Sequence, residues 1–451
     1  MKTMQSLKKL FFKSPYFLQN LIISLINTNL YRVRHSGKYQ YYRDYYAKSD
    51  QLNENDLDLE SKRRLKVFLE YATKNSSWFK SYSEKDLNSF PILEKRDLLE
   101  NLDLITTINS NDKKIISKTS GTTGTALKVY YTKEDMQERF ALLDHFREKY
   151  GYKLGKKTAW FSGKKIVIPS DLKKGICYRD DFINKVRFYS TFDINAKNFD
   201  IYWHSLQEYK PEYIVGYPSS IYEICVMAKS KGLKSQFSVK VFFPTAETVL
   251  YEHRSVIESV LGCKVIDQYA SSEGAPFILE CPFGGMHIHP LSGIFEYKYP
   301  DTDSKEILVT SFSTRGTPLI RYSVGDSVQI ENDVKCLCGS NHPLVKNIEG
   351  RKQDYIYTED MGKISLSHIT LCINEVEGIL LLQAVQDRLN ELKIYIVSDS
   401  RFNDKQEKIF IKSLTRMVGQ KIKINLDKVD NIPKEKSGKF RIVKNNLKIE
   451  D

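Results

Sequence analysis

A run of hydroxyl residues and glycines in the first third of the chain has the composition of a phosphate-binding loop. Its residues are Ser120, Gly121, Thr122, Thr123, Gly124 and Thr125. Backbone N–H groups and hydroxyls in such a loop can surround phosphate oxygens. The run lacks the Gly-Lys-Ser/Thr ending of the P-loop, so it does not predict the usual ATPase site. Taken by itself, a loop of this composition is more often a plain turn.

Three cysteines and a histidine form a second candidate site, for a metal. The four residues are Cys281, His287, Cys336 and Cys338. Three sulfurs and one imidazole satisfy tetrahedral zinc, and four protein ligands would make the site structural. The Cys-x-Cys spacing is tighter than that of a usual zinc-finger pair, which leaves plain buried cysteines as the alternative. His289 and His342 are rival nitrogen ligands.

Four longer motifs follow the hydroxyl run along the chain. They are Tyr269-Ala-Ser-Ser-Glu273, Tyr322-Ser-Val-Gly-Asp326, Gly350-Arg-Lys-Gln-Asp354 and Pro433-Lys-Glu-Lys-Ser-Gly-Lys439. In order and spacing, the five motifs resemble those of the adenylate-forming superfamily. The resemblance is strongest to its phenylacetate–CoA ligase branch, which includes the CapK-like proteins of polysaccharide gene clusters. It implies a large N-terminal domain and a small, mobile C-terminal domain.

The resemblance implies a role for each motif. Glu273 would hold the Mg2+ that bridges the ATP phosphates, since this hard cation takes oxygen ligands. Asp326 would accept hydrogen bonds from the ribose hydroxyls, and Arg351 would add a charged hydrogen-bond donor nearby. Tyr269 would stack near the adenine. Lys439 would place positive charge on the α-phosphate and carboxylate oxygens as charge develops in the transition state.

Further positions are assigned by the same resemblance. The nucleotide site would include the hydroxyl run, Ser272, Ala246 and Glu247. The acyl pocket would include Tyr217, Pro218 and Ser219, although a Gly-Tyr-Pro segment is also an ordinary turn. The hinge between the domains would be one of three residues, namely Lys352, Gln353 and Asp354. The cysteine–histidine set resembles a zinc site carried by members of the phenylacetate–CoA ligase branch, which favours structural Zn2+ over buried thiols.

The reaction implied by the resemblance has two steps. A carboxylic acid attacks ATP and forms an acyl-AMP, and the acyl group then passes to an acceptor. CoA is the acceptor in the broader family, whereas an amine acceptor in capsule or O-antigen polysaccharide biosynthesis is the alternative. A non-catalytic anion-binding or nucleic-acid-binding protein is a remote third class. We expect no nucleic-acid partner because the chain lacks the signatures of DNA and RNA readers.

The composition of the chain indicates a folded protein and limits the classes of partner and scaffold. The chain has 451 residues, of which 41% are hydrophobic, enough for a sizeable core and too many for a disordered protein. The 69 Lys and Arg residues exceed the 56 Asp and Glu residues by 13. This excess suits anionic partners such as nucleotides or a membrane face, or is a solvated lysine-rich surface. The odd number of cysteines, 7 in a long chain, excludes a small disulfide scaffold.

The hydrophobic pattern predicts an α/β fold of layered sheets and helices, divided at residues 1–48, 49–351 and 352–451. The first range is a basic helical extension, the second the large domain, and the third a small α+β domain. Strands are predicted over 239–243, 265–269, 380–385, 392–397 and 421–429, and helices over 198–210, 221–232, 367–375 and 405–418. The range 50–114 is predicted to be largely helical.

The N-terminal extension is basic and amphipathic. Its apolar run, residues 16–26, is interrupted by polar residues and is shorter than the ~18 apolar residues that a membrane-spanning helix needs. No secretory signal precedes it. A helix packed on the protein body and a helix lying in a membrane interface are the two interpretations. Both predict a cytoplasmic enzyme, and the second places it at the inner face of the membrane. The sequence also leaves open whether the protein forms a homodimer.

Overall fold

A computed structural model describes residues 10–109, 114–118, 127–298, 305–331, 334–351 and 354–447, apart from the side chains at 350, 351 and 367. The chain divides into two compact units. The first unit comprises Met1–Ile23, Lys156–Val265 and Gly350–Asp451. The second unit comprises Ser24–Gly155 and Ile266–Glu349. The predicted domain boundaries after residues 48 and 351 remain predictions.

Helices lie in both units. They are α1 (Tyr16–Arg34), α2 (Tyr39–Ser49), α3 (Glu54–Asn75), α4 (Lys95–Glu100), α5 (Leu102–Ile105), α6 (Lys133–Glu148), α7 (Pro169–Leu172), α8 (Phe199–Tyr209), α9 (Pro218–Ser230), α10 (Tyr251–Leu261), α11 (Leu366–Leu371) and α12 (Asp404–Val418). Short 3-10 turns occupy Leu87–Ser89, Ala196–Asn198 and Cys372–Glu375. No helix in the described ranges is both long and apolar enough to cross a membrane.

Strands alternate with these helices along most of the chain. They are β1 (Ile115–Lys118), β2 (Lys128–Tyr131), β3 (Thr158–Ser162), β4 (Tyr178–Asp181), β5 (Val186–Ser190), β6 (Tyr213–Gly216), β7 (Val241–Pro244), β8 (Lys264–Val265), β9 (Gln268–Tyr269), β10 (Ile278–Glu280), β11 (Met286–Ile288), β12 (Gly293–Tyr297), β13 (Lys305–Ser311), β14 (Tyr322–Glu331), β15 (Leu344–Arg351), β16 (Tyr355–Thr358), β17 (Gly362–Ser365), β18 (Ile379–Arg388), β19 (Glu391–Ser398), β20 (Lys423–Lys428) and β21 (Val443–Asn445). The predicted α/β class is confirmed.

The first unit is built on a six-stranded sheet of order β4-β5-β3-β6-β7-β8. All neighbouring pairs are parallel except the edge pair β4–β5. Every residue of β6 and β7 is buried. Continuous burial is typical of parallel strands that are covered on both faces, and such strands have apolar residues along their whole length. β6 and β7 are neighbours, so the loops at their carboxyl ends lie side by side. Such strand ends are where open α/β sheets bind ligands.

The C-terminal part of the first unit forms a second sheet, of order β20-β19-β18-β21. Helix α12 begins at its N-cap Asn403, whose side chain accepts hydrogen bonds from the amides of Lys405 and Gln406. The helix buries Phe410, Leu414 and Val418, one apolar stripe at helical spacing. These side chains share a core with the strands of this sheet. The predicted small α+β fold is therefore present in this part of the chain.

The second unit is built on a seven-stranded sheet of order β12-β13-β14-β15-β11-β10-β9, beside the separate β1–β2 hairpin. Its core joins residues of α3, such as Phe68 and Leu69, to apolar residues of the sheet such as Val309 and Val345. The order brings β11 next to β15, although more than fifty residues separate them in the chain. Segments far apart in the sequence therefore meet inside this sheet.

Two of the predicted elements are wrong in extent. The strand predicted over 265–269 is two strands, β8 and β9, in different sheets. Asp267 interrupts it: its carboxylate accepts a hydrogen bond from the amide of Gln268, and its own amide donates to Glu280. The helical prediction for 50–114 holds for α3 to α5, while most of the chain between α3 and α4 is irregular.

Candidate functional site

Buried polar atoms without partners mark the carboxyl ends of β6 and β7 in the first unit. Glu247 follows β7, and its Oε2 accepts a hydrogen bond from the amide of Ser219 at 3.1 Å. Within the described part of the chain, Glu247 Oε1, Ser219 Oγ and Ser220 Oγ are buried without a hydrogen-bond partner. Burial raises the pKa of Glu247 to about 6. Because buried polar groups are almost always paired, these loops have the character of a ligand site.

The local backbone explains why these residues converge. Helix α9 begins with Pro218 at its first position, which the fixed φ of proline favours. The amide of Thr245 donates to the carbonyl of Gly216 at 2.9 Å and ties the two strand ends together. Ala246 then adopts a φ of +65°, a left-handed conformation that non-glycine residues rarely take and that occurs often at functional sites. The predicted acyl and nucleotide residues Tyr217, Pro218, Ser219, Ala246 and Glu247 are thus brought together.

The predicted catalytic lysine reaches the same strand ends. It lies in a hairpin turn over residues 433–439, the lysine hairpin. The turn is closed by hydrogen bonds from the amide of Glu435 to the carbonyl of Lys439 and from the amide of Gly438 to the carbonyl of Glu435. The amino group of Lys439 donates to the carbonyl oxygen of Ala246 at 2.5 Å. It lies 5.8 Å from the ring centroid of Tyr217. The positive charge is therefore held beside Glu247, with which it interacts electrostatically.

A glycine after β3 permits this approach. A Cβ at Gly163 would lie 1.6 Å from the carbonyl oxygen of Ser437 and 2.9 Å from the hydroxyl of Tyr217. No side chain fits at such a distance, so the lysine hairpin packs directly against bare backbone. The Tyr217 hydroxyl also donates to the carbonyl of Ser437 at 3.4 Å.

A second lysine of the hairpin anchors it, and sequence reasoning missed this residue. Lys434 Nζ lies 2.7 Å from a carboxylate oxygen of Glu223, and the two side chains are 5% and 3% exposed. The same amino group donates to the carbonyls of Thr191 at 2.7 Å and Ile194 at 3.2 Å. Two backbone carbonyls and one carboxylate therefore surround this ammonium group. The place of Lys434 in the C-terminal motif was a signal for it, whereas Glu223 stands in no motif.

The second unit carries the predicted residues Tyr269, Ser272, Glu273 and Asp326. The hydroxyl of Tyr269 donates to Asp326 Oδ2 at 2.8 Å, which joins two of the motifs. The hydroxyl of Tyr131 donates to the carbonyl of Ser272 at 3.1 Å. Glu273 is 5% exposed. A buried carboxylate is the hard oxygen donor that Mg2+ prefers, so this residue fits the predicted ion.

The loop that holds Glu273 is fixed by its backbone. The Ser271 hydroxyl accepts hydrogen bonds from the amides of Gly274 and Ala275. The carbonyl of Gly274 in turn accepts from Ser311 Oγ at 2.6 Å and from the buried guanidinium of Arg139 at 2.8 Å. These contacts fix the backbone of the turn that follows Glu273.

Several predicted residues lie outside the described part of the chain. They are the hydroxyl run Ser120, Gly121, Thr122, Thr123, Gly124 and Thr125, and the hinge candidates Lys352 and Gln353. The strands that flank the run, β1 and β2, pair antiparallel with Lys118 opposite Lys128. Arg351 ends β15, and its side chain is not described. Asp354, the third hinge candidate, precedes β16.

The predicted metal ligands come together in the second unit. Ligand atoms of Cys281, His287, Cys336 and Cys338 all lie within 4.8 Å of one another. Cys281 Sγ is 3.5 Å from Cys336 Sγ, and Cys338 Sγ is 3.3 Å from His287 Nε2. Sulfurs around one tetrahedral zinc are about 3.8 Å apart, so this set fits the ion. It would hold zinc with no position left open for water.

The histidine of the cluster is oriented by the backbone. His287 Nδ1 lies 3.0 Å from the carbonyl oxygen of His342, an acceptor, so Nδ1 carries the proton and Nε2 faces the sulfurs. Burial lowers the pKa of His287, which favours the neutral ring that binds metal. A Cβ at Gly285 would lie 2.8 Å from Cys336 Sγ, so glycine is needed in this turn.

The rival ligands His289 and His342 are outside the cluster. His342 contributes its carbonyl, and His289 is buried with its ring 5.4 Å from that of Tyr46.

Replacing Cys336 by serine is expected to lower zinc content and thermal stability together, because binding to a folded site contributes to folding. Metal analysis of the purified protein and a melting curve measure the two effects. His289→Gln is the comparison variant, since it changes a neighbouring buried histidine and is expected to keep the metal. Zinc at the wild-type level in Cys336→Ser would contradict the assignment.

Comparisons with known proteins agree with this architecture. A family model described as the CapK C-terminal domain matches residues 356–446. Protein CapK of Staphylococcus aureus is 31% identical over 452 residues, which is 96% of this chain and 98% of that protein.

Solved structures of 2-hydroxyisobutyryl-CoA ligase share the fold at lower identity. In the postadenylation state in complex with R3-HIB-AMP, that enzyme has a TM-score of 0.70 at 16% identity, over 89% of this chain and 92% of that chain. In an open conformation in complex with 2-HIB-AMP and CoA, it has a TM-score of 0.53 at 17% identity, over 87% and 91% of the two chains. The likeness covers a large N-terminal and a small C-terminal domain.

Proposed function

Because this chain belongs to the CapK family, we propose that it is an AMP-forming ligase that activates a carboxylic acid with ATP and passes the acyl group to an acceptor. The observation that carries the proposal is the position of Lys439. Its amino group lies against the strand ends where Glu247, Ser219 and Ser220 present unpaired buried atoms. A cation beside a polar ligand site is suited to an anionic reaction centre.

The first step forms the acyl-AMP. A carboxylate oxygen of the acid attacks the α-phosphorus of ATP, and the bond from that phosphorus to the bridging oxygen breaks, so that pyrophosphate leaves with the electron pair. Lys439 binds the oxygens that gain charge. Asp326, oriented by the hydroxyl of Tyr269, would accept hydrogen bonds from the ribose. Mg2+, held by Glu273, would supply charge neutralisation of the phosphates.

The second step consumes the acyl-AMP. A thiol or amine attacks the acyl carbon, the bond to the phosphate oxygen breaks, and AMP leaves while the acceptor loses its proton to solvent. We propose the thiol of CoA as the acceptor. The similar fold of 2-hydroxyisobutyryl-CoA ligase supports this acceptor only as an analogy, because fold does not decide function. An amine of a surface polysaccharide precursor is the alternative, favoured by membership in the CapK family.

Acid-dependent exchange of labelled pyrophosphate into ATP tests the first step. We expect exchange with Mg2+ and one class within a panel of alkyl acids, aryl acids and amino acids. AMP release that depends on CoA would identify an acid–thiol ligase. Exchange without any effect of CoA would favour the amine, and amino sugars become the next acceptors to test. No exchange with any acid, from a folded and zinc-loaded protein, would contradict the proposal.

A further inference from the structure

Helix α1 has a reversed polarity between its two faces. Its buried residues are polar: Gln19, Asn20, Ser24 and Asn27 are all less than 9% exposed. Most of its exposed residues are apolar: Phe17 is 70% exposed, Leu25 and Ile26 are each 57% exposed, and Leu18 and Leu30 are also exposed, beside the polar Asn29 and Arg32. A helix on the surface of a globular protein normally turns its apolar stripe inward. The exposed apolar stripe of α1 is therefore suited to contact with an apolar environment outside the folded chain.

Buried polar contacts within the first unit hold the helix in this orientation. The guanidinium of Arg179 is fully buried and donates to Gln19 Oε1 at 2.7 Å and to Asp171 at 2.7 Å. The amide of Asp180 donates to Asn20 Oδ1 at 3.2 Å. Rotating α1 to bury its apolar stripe would leave the Arg179 charge without one of its acceptors, which is costly. The exposed stripe is thus a property of the folded state.

The hairpin between β4 and β5 extends this surface. Phe182 and Ile183 lie at its tip and are 49% and 47% exposed. The rings of Phe17 and Phe182 are stacked, with centroids 6.2 Å apart and an interplanar angle of 7°. The turn is fixed by hydrogen bonds from the amide and the side chain of Asn184 to the carboxylate of Asp181. We call the exposed residues Leu10, Phe17, Leu18, Phe182 and Ile183 the apolar face.

The sequence segment that carries Leu10, Phe17 and Leu18 has charge of one sign. Residues 1–23 contain no Asp or Glu, and their basic residues are Lys2, Lys8, Lys9 and Lys13. In the hairpin, the carboxylate of Asp180 is paired with Arg187, and that of Asp181 accepts from Asn184. Apolar side chains flanked by lysines are typical of segments that lie in the interface of an anionic membrane.

We propose that the apolar face docks onto an anionic lipid surface, with Phe17 and Phe182 inserted together below the headgroups. The helix would lie in the plane of the interface, which agrees with the finding that no described helix can span a bilayer. The inference does not depend on the proposed reaction, because vesicle binding requires neither ATP nor an acid.

Co-sedimentation of the full chain with vesicles tests the proposal. We expect binding to mixed phosphatidylcholine–phosphatidylglycerol vesicles, weaker binding to pure phosphatidylcholine, and loss of binding as salt rises. Phe17→Ser and Phe182→Ser should each weaken the apparent partition coefficient by about tenfold, the size expected for removing one large apolar side chain from the membrane. Melting curves like that of the wild type should show that both variants fold, and pyrophosphate exchange should be unchanged.

Leu59→Ser is the matched control, because Leu59 is a 68% exposed residue of α3 and lies outside the apolar face. It should bind vesicles like the wild type. Absence of wild-type sedimentation with anionic vesicles would overturn the proposal, and so would binding of both phenylalanine variants at the wild-type level. Self-association of the wild type, lost in Phe17→Ser without any vesicle binding, would instead assign the face to a second copy of the chain.

Discussion

Lys439→Ala is expected to slow acyl-AMP formation by roughly 10²-fold or more, the size typical for losing a preorganised charge or donor. The side chain extends to the Ala246 carbonyl from a hairpin whose backbone bonds do not involve it, so the fold should survive. Pyrophosphate exchange measures the effect. The transfer of the acyl group from supplied acyl-AMP to its acceptor should remain, since the lysine acts on the charge that develops in the first step.

The control for this experiment is Lys436→Ala. Lys436 is an exposed lysine of the same hairpin, and its loss removes an equal charge from the same segment. Exchange should stay within about twofold of the wild type, as expected for a surface substitution. If Lys439→Ala lost both half-reactions equally, the assignment of this lysine to acyl-AMP formation would be wrong.

Lys434→Met is expected to destabilise the protein by about 3–5 kcal/mol, because it leaves the Glu223 carboxylate buried without its partner. Burial already raises the pKa of Glu223 in the intact pair. A carboxyl group with a raised pKa in the folded state contributes stability at low pH that is lost as the pH rises through that pKa. The destabilisation should therefore be larger at pH 8 than at pH 5, as measured by urea unfolding at both values.

Lys434→Met should also slow acyl-AMP formation, because Lys434 positions the hairpin that carries Lys439. Lys436→Met is the matched control, with the same chemical change at an exposed position. Adding Glu223→Gln to Lys434→Met removes the unpaired charge and should recover part of the stability. An equal loss of stability at pH 5 and pH 8 would contradict the buried-charge explanation.

Motifs allowed much of the candidate site to be predicted from the sequence. The resemblance to CapK-like proteins is confirmed, and the four residues predicted as metal ligands do lie together. Periodicity placed α12 and the strands β18 and β19 to within a few residues, because these elements are long and their apolar spacing is regular. Motif order therefore suffices to predict site residues whose chemistry restricts the residue type, and local periodicity suffices to predict long, regular elements.

Contacts between distant segments could not be predicted in this way. Glu223 stands on a helix with no motif, and only the folded sheet brings it to Lys434. The orientation of α1 was equally hidden, because its pattern leaves open both a helix packed on the protein body and a helix in a membrane interface. The buried Arg179 on a later strand binds the polar face of the helix and so turns the apolar residues outward. In both cases the deciding contact is a buried charge whose partner is set by tertiary structure.

The bare backbone at Gly163 has a consequence for how the two half-reactions can be separated. The lysine hairpin fits there only because residue 163 has no Cβ, since that atom would overlap the carbonyl of Ser437. A single methyl group at this position is therefore a steric block on the docked hairpin that leaves every chemical group of the enzyme in place. Under the proposed reaction, position 163 is where a separation-of-function allele would arise: a protein unable to make its acyl-adenylate, yet equipped to consume one.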